Sequence, residues 1–123
     1  MKFTDLNRHG GIGANCNLIE IGPFRIAIDS GLHPKFAGYD SLPSHDFLER
    51  NSLDFIVLTH CHLDHLGSLP ILSREHPDAP VLLSYASSIL ARRMLSNSVS
   101  VMRRQRSELN LPELPFYGRG DLT

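Results

Sequence analysis

Three imidazoles and a carboxylate fall within six consecutive residues, His60-Cys61-His62-Leu63-Asp64-His65, and they use three of the chain's seven histidines. Imidazole nitrogen and carboxylate oxygen suit Zn²⁺, at metal–ligand distances of about 2.0–2.2 Å. Side chains alternate along an extended backbone, so His60 and His62 point the same way and can share one ion. Asp64 and His65 follow on a turn and can reach a second ion position close by. Two ions about 3.5–4 Å apart can hold a hydroxide between them and clamp a phosphodiester or carbonyl oxygen. The metal also brings the pKa of bound water down to about 7, which supplies a nucleophile at neutral pH. A polar loop that collected histidines by accident is a poor account of this density beside a carboxylate. The donor set tolerates manganese and iron as well as zinc.

These residues need elements to hold them. Leu53-Asp54-Phe55-Ile56-Val57-Leu58-Thr59 is a nearly continuous apolar run, as in a strand buried on both faces, and it delivers the histidines at its exit. Upstream, Cys16 to Ile21 and Phe24 to Asp29 read as two strands joined by the Gly22-Pro23 turn. The Gly-, Pro-, Asp- and Ser-rich stretch from Leu32 to Pro43 reads as a long ordered loop, with a short helical turn over Asp46 to Arg50. Downstream, Leu66 to Glu75 reads as a helix broken by His76-Pro77-Asp78-Ala79-Pro80, and Val81 to Ser84 as a short buried strand. A long helix is expected from Ser87–Ser88 to Leu109, with Ile89, Leu90, Met94, Val101 and Leu109 facing the core. The tail from Leu111 to Thr123 is irregular. This order of strands and helices argues for an α/β sandwich with helices covering one sheet.

Composition sets few further limits. At 123 residues, with 41% hydrophobic and 20% charged residues, the chain suits one domain with a real core. The formal net charge of −1 marks it neither as a nucleic-acid binder nor as a membrane-surface binder. No apolar run approaches the roughly 20 residues that span a bilayer, and the polar N-terminus lacks a signal-peptide pattern. A cytoplasmic location is expected, or a nuclear one in a eukaryote, with Cys16 and Cys61 as free thiols.

The motif resembles the HxHxDH signature of the metallo-β-lactamase superfamily. Asp29 closes a strand as that family's first motif acid does, and Gly67-Ser68-Leu69-Pro70 matches the GxLP that follows the signature in RNA-processing members. Asp29-Ser30-Gly31-Leu32-His33-Pro34, with Gly38, Asp40, Leu42-Pro43 and Asp46, is similar to the β-CASP branch of pre-mRNA end-processing endonucleases. The likeness covers roughly residues 10–70. It implies that His60 and His62 bind one zinc and that Asp64 and His65 bind the other, with Asp64 also orienting the hydroxide as a catalytic group. Asp29 would hydrogen-bond a ligand imidazole and fix its orientation. A strand-end carboxylate that merely caps a turn is the other account of Asp29. Two departures stand out: the loop around Gly10 to Asn15 lacks the usual Glu-Val-Gly, and Ser30 replaces a cysteine.

The family completes its site with a later histidine for each zinc and a bridging aspartate. After His65 the only histidine is His76, too close in sequence for either role, and Asp121 has no strand context. The expected fold is therefore α/β, the N-terminal half of a metallo-β-lactamase αββα sandwich. Residues 1–123 would form a partial domain, with little activity alone. The resemblance implies two zinc ions and RNA as substrate in the complete protein, with no membrane partner; a second copy of the chain stays open as a partner. Esters, lactones or thioesters are alternative substrates, and a non-catalytic binding or assembly module is an alternative role.

Weaker features have plainer readings. Gly10-Gly11-Ile12-Gly13 precedes a strand, so it reads as a tight turn near the site instead of a phosphate loop. Arg92, Arg93, Arg103, Arg104 and Arg106 read first as a solvated helix face and second as an RNA-backbone stripe. His33 is expected near the site, and His9, His45 and His76 on the surface.

Overall fold

The computed structural model describes residues 1–8, 13–59 and 61–118. Among these residues five strands form one sheet: β1 (Lys2–Asp5), β2 (Asn17–Ile21), β3 (Phe24–Ile28), β4 (Phe55–Val57) and β5 (Val81–Leu82). Their spatial order follows the chain, β1-β2-β3-β4-β5. The first three run antiparallel, and β4 and β5 join in parallel. Among the described residues the α-helices are α1 (Leu63–Leu66), α2 (Leu69–Glu75) and α3 (Tyr85–Glu108). Short 3-10 turns lie at Gly38–Ser41 and at His45–Phe47, the latter starting one residue before the helical turn expected over Asp46 to Arg50. The fold is α/β, as the order of elements predicts.

Register divides the sheet into two faces. Leu18, Ala27 and Ile56 lie side by side on neighbouring strands and are buried. Leu66, Leu72, Leu95, Val99 and Met102 from the helices join them in one core. The alternate positions Phe3, Ile19, Ile26 and Phe55 line the other face, where Phe3 is exposed and the rest are half-buried. Helices therefore cover one side of the sheet, and the other carries an apolar row open to solvent.

The turn between β2 and β3 follows from its two residues. Gly22 has φ +56°, which glycine adopts without penalty, and Pro23 supplies the negative φ that must follow. β1 is not legible in the polar N-terminus; it forms because Lys2 to Asp5 pair with the edge of β2. The single helix expected over Leu66 to Glu75 is two. Pro70 sits in the first turn of α2 and has no N–H to continue α1, so the chain breaks at Gly67-Ser68.

α3 buries a different stripe from the expected one. Leu95, Ser98, Val99 and Met102 face inward, Met94 is half-buried, and Ile89, Leu90, Val101 and Leu109 are exposed. Ser98 lies at the centre of this stripe, and its hydroxyl lies 3.0 Å from Tyr117 Oη, which donates to the Gly67 carbonyl at 2.6 Å. A hydrophobic pattern cannot anticipate a stripe centred on a serine. The described part of the tail, residues 111–118, is irregular as expected, yet it packs back and buries Leu114 and Tyr117.

His45 and His76 are buried, at 6% and 0% exposure, against the expectation of surface residues. His76 Nδ1 accepts the Ser52 N–H at 3.1 Å and so ties the end of α2 to the chain entering β4. Cys16 and Cys61 are free thiols, and burial pushes the Cys16 thiol up to about 12. No helix among the described residues is long and apolar enough to cross a membrane.

Candidate metal centre

β3 and β4 run parallel with Ile28 opposite Val57, so both strands end at the same edge of the sheet. Asp29 and Thr59 leave those ends side by side. Asp29 adopts φ 64°, a left-handed conformation that aspartate tolerates better than most side chains. It is buried, and its carboxylate accepts the Thr59 N–H at 2.7 Å and the Thr59 hydroxyl at 2.7 Å. A third donor comes from α1: His65 Nδ1 lies 2.8 Å from Asp29 Oδ2. A carboxylate only accepts, so the proton resides on Nδ1 and the lone pair of the ring on Nε2.

That Nε2 lies 3.6 Å from Asp64 Oδ2. Two ligands of one tetrahedral zinc at about 2.1 Å each are separated by about 3.4 Å, so this pair fits a shared ion. Both side chains are partly exposed, which leaves the site open to solvent. The metal that these donors suit is thus matched by their chemistry and by the spacing of one pair. Among the described residues no group of three or more His, Cys, Asp and Glu side chains gathers closely enough to hold an ion.

His62 caps the N-terminus of α1 in an extended conformation, with an exposed side chain. Its carbonyl accepts the His65 and Leu66 N–H groups, each at 2.9 Å. The neighbouring Cys61 turns toward α3, where its thiol meets the Ser87 carbonyl at 3.2 Å. His60, the other expected ligand, lies outside the described residues, as do His9, Gly10 to Ile12, and Arg119 to Thr123.

Asn15 was not singled out by its sequence, yet it holds the backbone of the motif. Its N–H and its Nδ2 both donate to the Asp64 carbonyl, at 2.9 and 3.0 Å, and its own carbonyl accepts the Gly31 N–H at 3.1 Å. Nδ2 also stands 3.5 Å from His65 Nε2. The signal available in sequence was indirect, the glycine-rich run Gly10-Gly11-Ile12-Gly13 just before Asn15. In the structure Gly13 packs so tightly on His33 that a Cβ there would enter the imidazole. Gly31 is constrained in the same way, since a Cβ there would overlap the Asp64 carbonyl. Ser30 and Leu32 donate to the His65 and Leu63 carbonyls at 2.8 Å each, so the turn after β3 and the first turn of α1 are laced together.

His33 is buried, with Nδ1 accepting the Lys35 N–H at 3.1 Å. With Asp64 it lines a cleft of about 420 Å³ whose other walls include Leu32, Phe36, Leu63 and Met102. The cleft is mainly apolar, and Asp64 brings the candidate centre to its rim.

A family model described as the metallo-beta-lactamase superfamily matches residues 9–104. The chain is 32% identical over 102 residues to cleavage and polyadenylation specificity factor 73 of Drosophila melanogaster, covering 82% of this chain and 15% of that protein. It is 29% identical over 101 residues to endoribonuclease YSH1 of Saccharomyces cerevisiae, covering 81% of this chain and 13% of that protein. It spans only that small part of the length of either relative. A solved archaeal metallo-beta-lactamase superfamily protein from Sulfolobus tokodaii is similar over 85% of this chain and 41% of its own, at 19% identity and a TM-score of 0.48.

Proposed function

This chain belongs to the metallo-β-lactamase superfamily, and from that premise we propose that it is the metal-binding N-terminal part of a zinc-dependent RNA phosphodiesterase of the β-CASP branch. The observation that carries the metal reading is the Asp29–His65–Asp64 array. Asp29 holds His65 in the tautomer that presents Nε2, and Nε2 and Asp64 Oδ2 stand at the spacing of two ligands on one ion. The likeness to two RNA-processing proteins, one of them named an endoribonuclease, supports RNA as the substrate.

His60 and His62 are assigned to one zinc, and Asp64 and His65 to the other. Two zinc ions, when bound, would supply a hydroxide nucleophile at neutral pH and offset the charge that develops on a phosphate. Asp64 would orient that nucleophile. Asp29 keeps the His65 ring from rotating, and Asn15 keeps the Asp64 backbone in place. Four donors give two per ion, one fewer than a catalytic zinc ordinarily takes from protein. The remaining ligands are assigned to protein outside this segment, and the segment alone is expected to be inactive.

The apolar cleft at Asp64 favours a second reading, in which an acyl group occupies it and the substrate is an ester, lactone or thioester. The test is hydrolysis of RNA and of acyl substrates by the longest native protein that carries this segment, with and without EDTA. RNA cleavage abolished by EDTA, without acyl hydrolysis, is the expected result. Acyl hydrolysis without RNA cleavage would overturn the RNA reading and leave the metal reading standing.

A further inference from the structure

Behind the turn that carries Asp29 lies a buried chain of hydrogen bonds that the metal chemistry does not use. His45 Nε2 lies 2.8 Å from Ser30 Oγ, Ser30 Oγ lies 2.7 Å from Ser68 Oγ, and Ser68 Oγ lies 2.7 Å from the Gly31 carbonyl. Ser30 and Ser68 are wholly buried and His45 is nearly so. Each hydroxyl has one proton and a carbonyl has none, which fixes the direction of every bond. Ser68 must donate to Gly31, so Ser30 must donate to Ser68. His45 Nε2–H must then donate to Ser30.

The opposite tautomer breaks this assignment. With the proton on Nδ1, Ser30 would have to donate to both His45 and Ser68 with a single hydrogen. Nδ1 is itself buried and has no hydrogen-bond partner among the described residues. A proton there would be an orphaned buried donor, a rarer situation than an orphaned acceptor. The network thus has one proton arrangement, and it runs one way from His45 to the main chain at Gly31.

The main chain it grips is the one that positions the candidate centre. Ser30 N–H donates to the His65 carbonyl at 2.8 Å, and Ser68 N–H donates to the Ser30 carbonyl at 2.9 Å. Ser30 adjoins Asp29, whose carboxylate orients His65, and Gly31 abuts the Asp64 carbonyl. We infer that His45 is a positioning residue for the metal-binding turn, acting through Ser30 and Ser68 to hold the Asp29–Gly31 backbone against Asp64 and His65. The metal-ligand role of Asp64 and His65 rests on the function proposed above; the relay itself does not. Ser30, one of the departures from the related loop, is the link that requires a donor at position 45.

The test is nitrogen-15 NMR of the histidine rings in the chain and in its His45→Gln, His45→Leu and Ser30→Ala variants. Spectra are taken at neutral pH, well below each unfolding midpoint. Wild-type His45 is expected as the neutral Nε2–H tautomer. Glutamine places an amide N–H near the Nε2 position, so His45→Gln should leave the His65 ring signals unmoved. His45→Leu and Ser30→Ala should shift those signals or split them into more than one state in the folded protein. A wild-type His45 protonated on Nδ1, or His65 signals unchanged in a folded Leu or Ala variant, would overturn the inference. The tautomer decides the matter if neither variant folds. Zinc affinity by chelator competition should fall about tenfold in His45→Leu and recover in His45→Gln. Absence of measurable zinc binding in every form would accord with the incomplete ligand set of this segment, and the ring signals then decide the relay alone. The function proposed above stands or falls separately, on hydrolysis by the longer protein.

Discussion

Asp29 Oδ2 lies 2.8 Å from His65 Nδ1, and Thr59 donates its N–H to Oδ1 and its hydroxyl to Oδ2 of the same carboxylate. Three donors from two elements meet one buried acceptor group. Any residue that turns one acceptor into a donor must break part of this array.

Asp29→Asn is nearly isosteric and does so. Its amide NH₂ would face either Thr59 or His65, both of which donate. The expected outcome is a loss of metal affinity of about 10–100-fold, with a smaller loss of stability. Zinc titration against a competing chelator, run beside thermal unfolding, separates the two effects. Unchanged affinity in a folded Asp29→Asn variant would show that the carboxylate only caps the turn.

Metal content tests the donor count. Elemental analysis after dialysis should find much less than two zinc ions per chain, and His62→Ala should lower it further. About two ions per chain, lost in the variant, would mean that the missing ligands arrive from elsewhere, most simply from a second copy of the chain.

Gly31→Ala should be among the most damaging single changes. Its Cβ would occupy the space of the Asp64 carbonyl, and neither backbone can yield without breaking the bonds from Asn15. Overpacking of this kind costs about 1–3 kcal/mol and more where backbone is struck. A urea midpoint within error of wild type would contradict the close approach of these two turns.

Acid should destabilise the fold through His45. Burial, ahead of the nearby His76 and Arg8 charges and against the Asp46 charge, lowers its pKa from 6.5 to about 4. A base with a lowered folded-state pKa protonates more readily in the unfolded chain. Its stabilising effect is therefore complete above pH 6.5 and is lost as the pH falls toward 4. The full loss is about 3 kcal/mol. His76, also lowered by burial, acts in the same direction. Urea unfolding of wild type and His45→Gln between pH 7.5 and 4.5 isolates the first effect, because carboxylates common to both cancel. Parallel pH profiles would refute it.

Tyr117→Phe should cost about 1–2 kcal/mol, since it leaves the Gly67 carbonyl and the Ser98 hydroxyl without the phenol they share. The thermal midpoint reads this directly. A neutral result would mean that the tail does not hold α3 in its observed rotation.

Much of the layout was legible in the chain. The run Phe55-Ile56-Val57 identified β4, Gly22-Pro23 identified the hairpin, and the histidine cluster marked the end of the sheet where chemistry is expected. These are local signals, in which residue type and spacing act over a few neighbours. β1 was not legible, because four polar-flanked residues form a strand only where an edge is available to pair with. The rotation of α3 was hidden for a related reason: its buried stripe is centred on Ser98, whose burial depends on Tyr117, nineteen residues away.

The candidate site divides in the same manner. Sequence alone determined which donors are present between His60 and His65, that they follow an apolar strand, though one buried fully only at Ile56 and not on both faces, and that Asp29 ends another strand. Tertiary structure decided that Asp29 reaches His65, that Asn15 clamps Asp64, and that His45 and His76 lie inside. The physical reason is that hydrogen-bond partners of buried polar groups are set by which chain segments the sheet brings together. Asp29 and His65 are 36 residues apart, and only the parallel pairing of β3 with β4 places them within 2.8 Å.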